Sequence, residues 1–222
     1  MRNDRIKYVL FDLDGTLTDS AEGIINCFIY ALDYLGKPIP EREKLYELIG
    51  PPLEVNFHDL LGLSDEETAR AVKKYRERYS TVGLFENRPY EGIEEMLGDL
   101  KNAGFTLAVS TCKPEVFAVR ILEKFGLARY FAVITGSSLD GTRNTKAEVI
   151  TETMKRLGTD DRDSAVMVGD RRYDVIGARE VGMRCIGAGW GFADEGELEE
   201  SGASPIAVAP SELAEILIGN RI

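Results

Sequence analysis

Tyr8-Val9-Leu10-Phe11-Asp12-Leu13-Asp14-Gly15-Thr16 is the stretch from which the rest of the chain can be organised. Its four large apolar residues predict a strand buried on both faces, the kind found in a parallel sheet covered by helices. Two aspartates follow at once, a poor place for idle charge. In open parallel sheets ligands bind beyond the carboxyl ends of the strands, so the position itself argues for function. While the backbone stays extended, Asp12 and Asp14 share a side and can address one site. Gly15 then lets the chain turn sharply and leaves backbone amides available to an anion.

The partners of this strand lie far along the chain. Short branched runs at 106–109, 131–134, 165–168, 184–186 and, more weakly, 206–208 alternate with amphipathic stretches from about residue 89 onward. That alternation predicts an α/β fold, a parallel sheet with helices on its faces. Helices are expected to start near Pro89–Glu91, after Pro114, and over 146–157, 173–181 and 210–217. Between the first strand and these, Ile24, Ile25, Phe28, Ala31, Leu32 and Leu35 fall on one helical face, closed by Gly36 and Pro38. Val72, Tyr75 and Tyr79 repeat at helical spacing after a Ser64–Glu67 capping signal, and no convincing strand occurs from 40 to 85. The expected organisation is a core of residues 1–18 and 84–222 and a helical insertion of residues 19–83. Insertions of that kind fold over the open ends of strands.

A second acidic pair stands in Gly169-Asp170-Arg171-Arg172-Tyr173-Asp174, at a strand end and on the first turn of the next helix. Two such pairs facing each other repel unless a cation lies between them, and oxygen ligands of this kind suit a hard divalent ion, Mg²⁺ above all. Thr111 after the 106–109 strand and Lys146 at a helix start supply a hydroxyl and an ammonium for phosphoryl oxygens. Either alone reads as a cap or a solvated lysine. In order, Asp-x-Asp, Thr, Lys and Asp-x-x-x-Asp form a set.

Composition narrows the chemistry further. With 27 basic and 38 acidic residues among 222, the net charge of −11 opposes nucleic-acid and anionic membrane partners. No apolar run approaches the roughly 20 residues of a membrane span, and the N-terminus lacks a signal-peptide layout, so a cytoplasmic setting is expected. Three cysteines at 27, 112 and 185 are too few for a disulfide framework. With His58 as the only histidine, histidine-rich zinc sites are excluded.

The ordered set resembles the haloacid dehalogenase superfamily of hydrolases. Asp12-Leu13-Asp14-Gly15-Thr16-Leu17 is similar to its first motif, Thr111 to the second, Lys146 to the third and Gly169–Asp174 to the fourth. The resemblance covers essentially the whole chain and implies a Rossmann-like core with an α-helical cap. Within the superfamily the chain looks most like phosphoglycolate phosphatases, through Asp12–Ser20, Ile49-Gly50-Pro51-Pro52-Leu53 and Thr111-Cys112-Lys113-Pro114. The resemblance implies an Mg²⁺-dependent phosphatase in which Asp12 is the nucleophile and Asp14 the acid and base. Thr111 and Lys146 would bind the phosphoryl group, and Asp12, Asp170, the Asp14 main-chain carbonyl and Asp174 would hold the metal. Dehalogenating and phosphonate-cleaving relatives generally lack an aspartate at the place of Asp14.

The implied partner is a small phosphorylated metabolite, with Gly50 and Pro51 in the cap and Arg143 in the core as substrate-facing candidates. Pro51 read locally also serves simply to start a helix. The polar loop 140–146 resembles that of relatives associated with nucleoside monophosphates, which keeps a 5′-nucleotidase reading beside the phosphoglycolate one. A sugar-phosphate mutase would share the phosphorylated aspartate. A phosphoacceptor signalling module would combine similar residues without a cap of this size. Cys112 stands where many relatives carry Asn, and a thiol is the weaker donor. Monomer and homodimer are equally compatible with the chain.

Overall fold

A computed structural model describes residues 6–219. The chain forms two compact units, one of residues up to 18 together with those from 89 onward, the other of residues 19–88. In chain order the elements run β1 (Tyr8–Phe11), β2 (Thr18–Asp19), α1 (Ala21–Leu35), α2 (Arg42–Tyr46), α3 (Leu53–Val55), α4 (Asp65–Tyr79) and β3 (Arg88–Pro89). They continue α5 (Ile93–Asn102), β4 (Thr106–Pro114), α6 (Glu115–Lys124), β5 (Phe131–Ser137), α7 (Lys146–Arg156), β6 (Ala165–Gly169) and α8 (Arg172–Glu180). β7 (Arg184–Ala188), α9 (Glu197–Ser201), β8 (Ile206–Ala207) and α10 (Pro210–Ile218) complete the larger unit.

The larger unit is a Rossmann-like α/β fold: a parallel six-stranded sheet in the order β5-β4-β1-β6-β7-β8, with β1 at an interior position. Phe11, the last residue of β1, is in register with Val109 of β4 and Val168 of β6. The segments that follow these strands therefore leave the sheet at one edge. Leu10, Ala108, Ile150, Met154, Ala165 and Met167 pack together with no exposure, so β1 is buried as its apolar run requires.

The smaller unit is helical. Phe28 on α1 meets Phe57 and Tyr75, each with ring centroids 5.0 Å apart, and Tyr75 stacks on Tyr79. These aromatics are core, as their helical spacing indicates. Ser64 and Glu67 close a reciprocal capping box at the start of α4. The boundary at 88/89 falls beyond the 83/84 read from the sequence, because residues 83–86 stay against α1. Gly23 donates to the Glu86 carbonyl, and a Cβ on Gly23 would overlap the Gly83 carbonyl.

Several element limits move. Pro89 lies in β3 and the helix begins only at Ile93, after Gly92 turns the chain with φ +82°. β4 runs on to Pro114, with a register shift against β5 between Ser110 and Pro114, so Thr111 is inside the strand rather than after it. Leu53 opens a short helical turn behind Pro52, not Pro51. Among the described residues no helix is long and apolar enough to cross a membrane.

Truncating Leu10 to Ala is expected to cost about 2–5 kcal/mol, the range for a fully buried leucine, in urea denaturation followed by circular dichroism. A loss below about 1 kcal/mol would contradict a sheet centred on β1.

Candidate active site

Asp12 leaves the end of β1 with its N–H on the Val168 carbonyl, 2.9 Å, which ties it to the end of β6 beside Gly169 and Asp170. Lys146 opens α7 behind Thr145, whose side chain caps that helix in a box with Glu148. The ammonium reaches inward: Nζ lies 3.0 Å from Asp12 Oδ1 and 2.7 Å from Asp174 Oδ1, and it donates to the Ser110 carbonyl at 3.1 Å. Asp170 accepts from the Thr16 hydroxyl at 2.9 Å and from the Phe192 N–H at 2.8 Å. Asp174 accepts from the Arg171 N–H at 3.1 Å. Carboxylate oxygens of Asp12, Asp170 and Asp174 all lie within 4.8 Å of one another. The packing leaves no slack, since a Cβ on Gly169 would overlap the Asp174 carboxyl.

Charge is the dominant fact here. Asp170 is fully buried, and burial, followed by the charges of Asp174 and Asp12, holds its carboxyl well above the usual carboxylate range. Burial also raises Asp174 to about 6, with Lys146 opposing and Asp12 adding to the rise. Burial disfavours the Lys146 ammonium, yet Asp12 and Asp174 outweigh it and Lys146 stays charged. Three carboxylates against one ammonium leave two formal negative charges in a small volume. That excess and the all-oxygen donor set fit a hard divalent cation.

The second aspartate of the β1 motif is handled differently. Asp14 Oδ2 pairs with Lys113 Nζ at 2.5 Å, while its Oδ1 is buried without a hydrogen-bond partner. The β1 motif thus carries one carboxylate in the acidic cluster and one paired separately with its own lysine.

The haloacid dehalogenase-like hydrolase family matches residues 9–188. The chain belongs to that family. It is 44% identical over 200 residues to a 5′-nucleotidase of Pseudomonas aeruginosa, covering 89% of this chain and 90% of that one. It is 40% identical over 212 residues to the tyrosine-protein kinase PtkA of Mycobacterium tuberculosis (94% and 72%) and 35% identical over 190 residues to a phosphoglycolate phosphatase of Agrobacterium fabrum (83% and 81%). The crystal structure of a "predicted phosphatase" from Clostridium acetobutylicum superposes with a TM-score of 0.91 at 43% identity, covering 97% and 99% of the two chains.

Within this haloacid dehalogenase-like hydrolase, Asp12, Lys146, Asp170 and Asp174 come together, while Thr111 is buried within β4 and accepts from the Lys113 N–H at 3.2 Å. Gly50 and Pro51 sit in the smaller unit, where Gly50 has φ +115° and the buried Asn56 amide donates to the Leu48 and Pro51 carbonyls. Arg143 is engaged by the Gly136 carbonyl at 2.8 Å and by Glu115 at 3.1 Å, so its guanidinium is already matched. Cys112 is a neutral thiol raised to about 11 by burial. Sequence reasoning missed Lys113 as the partner of Asp14, and Thr16 and Phe192 as donors to Asp170. The Thr111-Cys112-Lys113-Pro114 string was the available signal for Lys113. Trp190, two residues before Phe192 in the turn after β7, donates to the Thr16 carbonyl at 3.0 Å and thereby braces that donor.

Because the folded pKa of Asp174 lies above its ordinary 3.8, the folded state binds the extra proton between those values and stability falls as pH rises through about 6. In chelator, the melting temperature of the wild type relative to Asp174→Asn is expected to rise from pH 7 to pH 5. A relative melting temperature that falls over that interval would contradict the assigned repulsion.

Proposed function

We propose that this family phosphatase is an Mg²⁺-dependent phosphomonoesterase that works through a phosphorylated Asp12. The observation that carries the reading is the convergence of Asp12, Asp170 and Asp174 in one cluster, with Lys146 on Asp12 and Asp174 and with Asp14 held apart on Lys113. Mg²⁺ would be held by Asp12, Asp170 and the Asp14 main-chain carbonyl, with Asp174 in support, and would neutralise charge on the phosphoryl oxygens.

The chain's own groups divide the work. The Asp12 carboxylate attacks phosphorus as the bond to the leaving oxygen breaks, forming an aspartyl-phosphate. Lys146 and the Thr111 hydroxyl bind the equatorial oxygens and stabilise their charge. Asp14 gives a proton to the leaving oxygen and then takes one from the water that attacks phosphorus and restores Asp12. The Oδ1 atom of Asp14, buried and without a hydrogen-bond partner, supports that role because it is uncommitted.

The substrate class proposed is a small phosphorylated metabolite of the phosphoglycolate type. A nucleoside 5′-monophosphate is the second reading, favoured by the 44% identity to the Pseudomonas aeruginosa 5′-nucleotidase. Phosphate release from phosphoglycolate, nucleoside 5′-monophosphates, hexose phosphates and pyrophosphate discriminates between them. Release is expected to require Mg²⁺ and to fall by several orders of magnitude in Asp12→Asn with the fold intact. Asp14→Asn should lose steady turnover while retaining phosphoryl capture. Full activity in Asp12→Asn would overturn the assignment.

A further inference from the structure

Asp170 and Asp174 repel each other, yet the loop between them holds both carboxylates in the same small volume. What restrains that loop lies outside the four motifs. Glu197, the first residue of the five-residue helix α9, is buried against it. Its Oε1 accepts from Arg171 Nε at 2.9 Å and from the Arg172 N–H at 2.8 Å. Its Oε2 accepts from the Asp194 N–H at 3.3 Å, and the Glu197 N–H returns to the Asp194 carbonyl at 3.0 Å. One carboxylate thus binds two successive residues of the Asp170–Asp174 loop and the turn that follows β7.

The same turn reaches the cluster directly. The Phe192 N–H is the donor on Asp170 Oδ2, and a Cβ on Gly191 would overlap the Asp170 side chain. Arg171 in turn gives its N–H to Asp174 and receives the Asp174 N–H on its carbonyl at 3.0 Å. Arg171 is therefore joined at its backbone to one carboxylate of the cluster and through its side chain to Glu197. A buried ion pair adds little net stability over apolar packing of the same volume, so stability alone is a weak reason for this one. Positioning is a stronger one, since outer partners of metal ligands govern affinity by orienting them.

We propose that Glu197 is a positioning residue for divalent-cation binding, clamping the Asp170–Asp174 loop so that both carboxylates point at one ion. The proposal rests on the cation reading given above. When the clamp is released, the repelling carboxylates separate, and the site must be reassembled each time an ion binds.

Isothermal titration of Mg²⁺ into the full-length protein, with metal-free melting temperatures alongside, tests this. Glu197→Gln is expected to weaken Mg²⁺ binding by about 10–100-fold, the range for outer partners of metal ligands, and to raise the Mg²⁺ concentration for half-maximal phosphate release equally. At saturating Mg²⁺ the KM for the phosphate ester should stay within twofold of wild type. A lower melting temperature with unchanged Mg²⁺ affinity would overturn the proposal and reduce Glu197 to a stability role. Should Glu197→Gln fail to fold, Glu197→Gln with Arg171→Met removes both charges of the buried pair. That double variant is expected to fold and to bind Mg²⁺ weakly, and wild-type affinity in it would also overturn the proposal. Wild-type protein that takes up no Mg²⁺ would remove the cation reading itself, a result distinct from unchanged affinity in the variant.

Discussion

Three carboxylates crowded at the edge of a buried sheet around a single ammonium are the constraint on which the other features depend. Asp12 and Asp170 are brought there by strand register, because Phe11 is level with Val168, and Asp174 by the first turn of α8. Left to themselves they would separate or take up protons, and Asp170 and Asp174 are indeed pushed toward the protonated form. The surrounding structure works against that tendency. Lys146 spans two of the carboxylates, Thr16 and Phe192 hold the third, and Gly169 has no side chain to block Asp174. Such a site is costly to keep without a counter-ion, and under the proposed function a divalent cation would offset the charge that one lysine leaves.

The two aspartates of the β1 motif are given separate lysine partners within one short segment. Asp12 lies against Lys146 from α7, with Nζ 3.0 Å from its Oδ1. Asp14, two residues on, meets Lys113 from β4 and keeps one oxygen uncommitted. In the mechanism proposed here, that separation assigns attack on phosphorus to one residue and proton movement to the other. The lysines come from different elements, α7 and β4, so the division depends on the tertiary fold rather than on the motif alone.

The parts legible in the sequence were those whose physics is local. A run of four apolar residues ending in two aspartates announces a buried strand with charge at its carboxyl end, and the Asp170–Asp174 pair repeats the pattern. The aromatic spacing of Phe28, Tyr75 and Tyr79 likewise predicts the core they form. Lys113 stands out in the sequence only as part of the Thr111–Pro114 string, because its pairing with Asp14 requires β4 to run on to Pro114 through a register shift that periodicity does not reveal. Glu197 was invisible for a similar reason: α9 has five residues and no repeating face. Arg143 read as an available cation, yet its partners Glu115 and Gly136 come from other elements of the fold. The start of α5 moved because Gly92, with its left-handed backbone, outweighed the proline signal at Pro89.

The central claim is that Asp12 carries the phosphoryl group between substrate and water. Its most direct test is acid quenching of the Asp14→Asn protein during incubation with Mg²⁺ and a reactive aryl phosphate, followed by peptide mass spectrometry. The account predicts a phosphoryl adduct on the peptide containing Asp12, located to that side chain and abolished when Asp12 is also replaced by Asn. A phosphoryl group found on another residue, or turnover of the wild type with no adduct at any quench time, would contradict it.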